Sequence, residues 1–535
     1  MTTGPGDTGP PRRWSPTVPG GGHHGAAGGP PQASGVSAAR AAVRSAVRDD
    51  AEARARALLV VRLTIALYLA ELLLNLLRPH VQPHEPALSI FERTTRLSGS
   101  VGRLLATPRT VFWLVLAGIV AGVLLQVLVM ATRPDERRAR TLTWLTVAVV
   151  LGPFGLIPLT VIAEYPLQAL ACVPGTAFAL ALLHFGQRFS RIPAMMLLAA
   201  FAWGALVVFG LGRAASNLAF GTLYGFMGDG AQSDLTRLAE RQYDALDVVV
   251  VHSGVVNALV VAAGVALLLV LFRHRVTDAV TGLVVGAAIG LGYNLVESTL
   301  IIRLFGTLSA FTGTTGGFEY WVRQSIGLLG GQVAFGAVLG AGFGLAAQAR
   351  RRGGRTRAAL AGLAAAICGA IATETLAAWL SRIVHDHVSV GGPLDTLVVS
   401  PFLWLLPQAP FIVVAVLLLA VGTRARAAAA RDAVAAEAAS GTAITRWEAP
   451  FLADPALRFW SLVSTGRLYG RGSALALRRL QLAQLDLAAW RWQHPGVLDG
   501  PAKEEGDRLR ARVMLLRTRP GIRPAAAPRP GQVTP

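Results

Sequence analysis

Ten apolar runs, each near the length that crosses a bilayer as a helix, dominate this chain. They lie near 57–77, 111–131, 142–162, 166–186, 193–213, 248–272, 279–303, 324–347, 358–383 and 399–422. A helical pass needs about 20 apolar residues, so the runs predict an all-α, polytopic membrane bundle of about ten helices. With 53% hydrophobic and only 15% charged residues, the 535-residue chain is too apolar for a soluble monomer. The first run is the weakest, because Arg62 and Glu71 interrupt it; nine passes result if it lies in the interface.

The formal net charge of +20 does not point to nucleic acid, because the arginines gather in short loops between the apolar runs. There they orient the chain and meet anionic headgroups. Arg133, Arg137, Arg138 and Arg140 form one such loop, Arg188 and Arg191 another, and Arg273 and Arg275 a third. The densest holds Arg350, Arg351, Arg352, Arg355 and Arg357. Alternate loops are poorer in arginine or carry acids, which places both termini on the cytoplasmic side. The first outer loop, with Arg93, Arg96, Arg103 and Arg109, breaks that pattern. Cys172 and Cys368 fall inside predicted spans, so no disulfide framework or CxxC site is available.

These signals divide the chain into a disordered tail over 1–50, membrane helices over 57–213, an extracytoplasmic segment over 214–247 and a membrane core over 248–422. A helical region follows over 423–517, with a second disordered tail over 518–535. Leu475 to Trp492 and Glu504 to Arg517 read as the two arms of a cytoplasmic helical hairpin, broken at His494, Pro495 and Gly496.

The most informative run is DAVTGLVVGAAIGLGYNLVE, Asp278 to Glu297. Gly282, Gly286 and Gly290 recur every four residues and make a flat stripe for a close helix contact. Glu297 is a carboxylate at a depth where charge is costly, so it faces protein or water rather than lipid. Two roles stand for it: a general base, or a buried protonated carboxyl hydrogen-bonded to Asn294, Gln332 or a backbone carbonyl.

The segment 273–298 resembles the second signature helix of PrsW-type intramembrane proteases, in which a basic loop precedes Asp-x-x-x-Gly, a glycine ladder, an aromatic and a Glu-Asn pair. Asp278, the glycines, Gly292, Tyr293 and Glu297 fit, while Ser298 stands where Asn is usual. GGQVAFGAVLGAGFGLA, residues 330–346, is similar to the third motif helix through Phe335, Gly340, Gly342 and Gly344. The tail hairpin is similar to that of actinobacterial members, and the resemblance runs over roughly 110–517.

The resemblance implies hydrolysis of membrane-anchored regulatory proteins, such as anti-sigma factors, in a bacterial plasma membrane. It implies single-pass membrane proteins as partners besides the lipid bilayer, and no nucleic acid; the oligomeric state stays open. It also implies a Glu-Glu-x-x-Lys motif, the aromatic-x-x-x-Glu, and two histidines. Here Val255, Val256, Asn257, Ala258 and Leu259 stand at the first of these, Gln332 replaces one histidine, and the fourth-motif helix has none. A divalent metal is the cofactor that family analogy suggests, but its ligands are missing and no metal residues are assigned.

Glu297, Glu374 and Gln332 are the catalytic candidates; Gly282, Gly286, Gly290, Tyr293, Gly340 and Gly344 are the candidates for helix packing or substrate contact. A carboxylate base without an electrophilic partner is poorly equipped for peptide hydrolysis. The expectation is therefore a pseudoprotease with impaired or absent proteolysis, which binds partner helices in a groove between the glycine-striped helices. The alternatives are a non-enzymatic scaffold or receptor, a transporter, and an active enzyme rearranged around Glu297, Glu374 and His252.

Overall fold

A computed structural model describes residues 51–77, 108–132, 134–186, 192, 194–227, 243–273, 275–312, 316–325, 327–349, 351–387, 392–494 and 500–518. The expected tails, the loop over 228–242 and the pair His23 and His24 lie outside them. Within the described residues the chain is helical throughout, with no strand. The first five helices are α1 (Ala51–Leu77), α2 (Arg109–Thr132), α3 (Glu136–Leu151), α4 (Leu156–Glu164) and α5 (Pro166–Gly186). They are followed by α6 (Ala194–Trp203), α7 (Phe209–Met227), α8 (Tyr243–Leu271), α9 (Ala279–Thr312) and α10 (Gly316–Gln324). The rest are α11 (Gln332–Gln348), α12 (Arg352–His387), α13 (Gly392–Leu394), α14 (Ser400–Leu405), α15 (Ala409–Ser440), α16 (Ala449–Ala453), α17 (Pro455–Gln493) and α18 (Pro501–Arg517).

Among the described residues nine helices or helix pairs are long and apolar enough to cross a membrane. Their apolar side chains point outward, as with Trp113, Leu114, Val120 and Leu124 on α2, where a bilayer supplies the partner that water cannot.

The count falls below ten at the eighth run, not at the first. In α1 the polar residues face protein: Asn75 Nδ2 donates to the Leu218 carbonyl at 2.8 Å, and Glu71 lies 3.3 Å from His252 Nε2. Arg62 donates to Gln126 at 2.9 Å. The run 324–347, expected as a full pass, begins its helix only at Gln332 and spans 17 residues. At 1.5 Å per residue that is about 25 Å, short of the roughly 30 Å hydrocarbon layer.

The reason lies at Gly330 and Gly331. Gly331 takes φ +54° and ψ −133°, a conformation open in practice only to glycine. The irregular backbone there is satisfied by side chains: the fully buried Gln408 accepts from Gly331 N at 2.6 Å, and Asn294 Nδ2 donates to the Gly330 carbonyl at 3.1 Å. Non-helical backbone at membrane depth survives only with partners of this kind.

α9 is the most enclosed pass, with 89% of its apolar window buried. Two glycine faces let its neighbours approach. A methyl group at Gly282 would overlap the Gly340 carbonyl, one at Gly286 the Gly336 carbonyl, and one at Gly290 the Gln332 carbonyl. On another face Gly292 meets the Phe201 carbonyl of α6. The two stripes therefore take each other, and α9 and α11 touch backbone to backbone. Between α9 and α11 the two stripes leave no room for a third helix.

Beyond its membrane portion α15 runs on to Ser440 and packs against α16–α18. Glu437, with its side chain fully buried, accepts from Arg491 and from Arg510 Nε at 2.8 Å. α17 and α18 form the expected hairpin, with a kink in α17 at Gly470, where φ is +84°.

Candidate functional site

Asp278 begins the site's central helix and is held from two sides. Its Oδ1 accepts from Thr281 N at 2.9 Å, an N-cap that satisfies one of the orphan donors of α9. Its Oδ2 accepts from Arg426 Nε at 3.0 Å, and Oδ1 accepts a second bond from the same guanidinium. The motif aspartate thus has a structural task, tying α9 to α15.

Three turns or more along α9 come Tyr293, Asn294 and Glu297. The Tyr293 ring sits edge-on to Phe209, with centroids 5.2 Å apart. Its hydroxyl lies 3.4 Å from Asn257 Nδ2, on the helix that carries Val255 and Val256. An amide and a phenol therefore meet close to where the resemblance implies two glutamates.

Glu297 Oε2 accepts from Arg323 NH1 at 3.2 Å, and the carboxylate is about one third exposed. Arg323 Nε also donates to Glu319 at 3.1 Å. α10 holds this arginine in place, because Tyr320 OH donates to the Ala171 carbonyl of α5 at 3.1 Å. A second guanidinium, Arg213 on α7, is close enough to feel the charge of Glu297 and the Tyr293 hydroxyl. Glu297, Arg323 and Glu319 form a chain of ion pairs here. Oε2 of Glu297 therefore has a guanidinium partner, which a general base would share with the water it activates.

Gln332, Asn294 and His252 do not join it. Gln332 packs its carbonyl on Gly290, seven residues before Glu297, or about 10 Å along the helix axis. Asn294 is committed to Gly330. The expected hydrogen bond from Asn294, Gln332 or a carbonyl to a protonated Glu297 is replaced by an ion pair. His252 turns to Glu71 on α1. Glu374 lies on α12, and its side chain is outside the described ones.

Arg323, Arg213 and Asn257 were not legible as site residues. The available signal was Arg213, at the end of an apolar run, since an intramembrane cation calls for an anion.

An all-helical, multi-pass membrane protein with a glycine-packed central helix and a polar spot beside it is the class this architecture defines. Residues 192–402 match the family model described as PrsW family intramembrane metalloprotease. Over that segment, less than half of the chain, the protein is similar to this family. The match reaches from α6 to α14 and does not extend to the tail hairpin. No curated protein and no solved structure matches the chain.

The family's metal is tested by the residues present. Among the described residues no three His, Cys, Asp or Glu side chains come together. The carboxylate best placed to bind a cation faces Arg323, with Arg213 nearby. This donor set does not fit a divalent metal, and no chemical step is routed through one.

Proposed function

We propose that this chain is a PrsW-type membrane protein that binds a membrane-anchored partner, such as a single-pass regulatory protein of the anti-sigma-factor kind, without cleaving it. The observation that carries this reading is the Glu297–Arg323 ion pair at 3.2 Å. Peptide hydrolysis needs a base to activate water and an electrophile to stabilise the developing oxyanion. Glu297 is tied to a cation, the neighbouring positions are Val255, Val256 and Asn257, and Gln332 lies two turns away. Arg323 already shares its charge between Glu297 and Glu319.

The partially exposed rim around Asn294 and Glu297 is the polar spot a partner helix would meet, since the α9–α11 seam is filled. A photo-crosslinking residue placed at Asn294 tests this in native membranes with a tagged single-pass helix. Capture of the helix at full length is the expected result. Recovery of truncated helix, or no capture above a lipid-facing control at Leu124, overturns the reading.

A further inference from the structure

A cavity of about 880 Å³ lies away from the Glu297 site, at the end of the bundle where α8, α11 and α12 meet the tail. Its volume is in the range of ligand sites, roughly 300–1,000 Å³. Three arginines line it from three separate elements: Arg56 on α1, Arg273 just after α8 and Arg355 in the first turn of α12. Arg355 Nε donates to the Ala349 carbonyl at 2.7 Å, which fixes its guanidinium at the end of α11.

One carboxylate, Asp278, shares the lining, but Arg426 engages both of its oxygens. No carboxylate of the lining is therefore left for Arg273 and Arg355. The lining also includes Leu269 and Phe343, with Trp492 and His494 from the tail. His494 is held by its own helix end, with Nδ1 3.0 Å from the Trp490 carbonyl.

Arg273 and Arg355 belong to two separate arginine-rich loops and are both exposed, yet they line the same partly open cavity as Arg56, beside apolar residues. Guanidinium forks match phosphate oxygens, and basic pockets between membrane helices suit phospholipid headgroups. We propose that this cavity binds a phosphate-bearing anion, the headgroup of an anionic phospholipid or a soluble phosphate, and that Arg273 and Arg355 are its main ligands. Occupancy would bridge the membrane bundle and the tail hairpin, because the lining comes from both.

The full chain in neutral detergent, titrated with phosphatidylglycerol or phosphatidylcholine and read by native mass spectrometry, tests the proposal. Preferential retention of phosphatidylglycerol is expected. Each arginine near the surface contributes on the order of a fivefold change in affinity, so Arg273→Gln with Arg355→Gln should weaken retention about 25-fold. Arg273→Lys with Arg355→Lys keeps the charge and should retain most of the binding, which separates lost ligation from lost folding. A parallel arm adds inorganic phosphate alone and reads thermal unfolding. Arginine-dependent protection there, without lipid preference, assigns the cavity to a soluble phosphate. Equal retention of both lipids together with no phosphate protection overturns the proposal, as does undiminished binding in the glutamine variant.

Discussion

Removing Arg426 from its buried pair with Asp278 is the most quantitative test of how the membrane domain is tied to its tail. Asp278 is 5% exposed and Arg426 2%, so neither charge is rehydrated when the other is lost. Breaking such a pair costs about 3–5 kcal/mol, because an uncompensated charge stays buried. Two features of the site push the estimate to the lower end. Asp278 keeps its cap bonds from Thr281 N and Oγ1. Arg426 NH1 is buried without a hydrogen-bond partner, so its removal also relieves a desolvated group. Arg426→Met should therefore destabilise by about 3 kcal/mol.

Asp278→Asn preserves the cap, since asparagine caps as well as aspartate, yet leaves Arg426 unpaired at a similar cost. The double variant removes both charges and should lose no more than either single variant, which sets the coupling at about 3 kcal/mol or more. Unfolding of the purified protein in mixed micelles, followed by helix content, reads all four corners of the cycle. Additive single losses below about 1 kcal/mol would refute the reasoning, because that is how a solvated surface pair behaves.

Gly286→Ala places a methyl against the Gly336 carbonyl, which no rotamer change can relieve, so it should cost about 3 kcal/mol in the same assay. Gly353→Ala, with nothing within 4 Å, should be neutral or slightly stabilising, and an equal loss at both sites would deny the close α9–α11 contact. Glu437→Gln removes the buried anion of Arg491 and Arg510, but Arg510 keeps Asp507 at 3.1 Å, and the two arginines are 35% and 32% exposed and can rehydrate. A loss of about 1–2 kcal/mol, seen as faster proteolysis of the tail with the bundle intact, is expected; unchanged proteolysis would remove the pair from the account.

The helical bundle was legible because membrane passes carry their signal in a single run of residues. The glycine ladder of α9 was legible for the same reason. Its occupant was not: Gly336, Gly340 and Gly344 repeat at the same spacing, and two matching stripes pack on each other more readily than on an absent partner. The shortening of α11 escaped because its cause is distributed. Gly331 breaks the helix, but Gln408, 77 residues away, makes the break tolerable.

Glu297 was correctly placed among protein groups, yet its partner comes from a short helix 26 residues on, after a change of direction. Composition offers no measure of such a distance. The expectation of a neutral carboxyl followed from counting losses at Val255, Val256 and Gln332. It overlooked Arg323, whose guanidinium donates to Glu297.

Glu297 is held by Arg323 at 3.2 Å, and the proposed absence of hydrolysis rests on that pair. Purified protein in bilayer discs, incubated with a fluorogenic single-pass helix, measures this directly when compared with Glu297→Gln and Arg323→Gln. The account predicts equal background release from all three. Release by the unaltered chain that disappears in Glu297→Gln would contradict it.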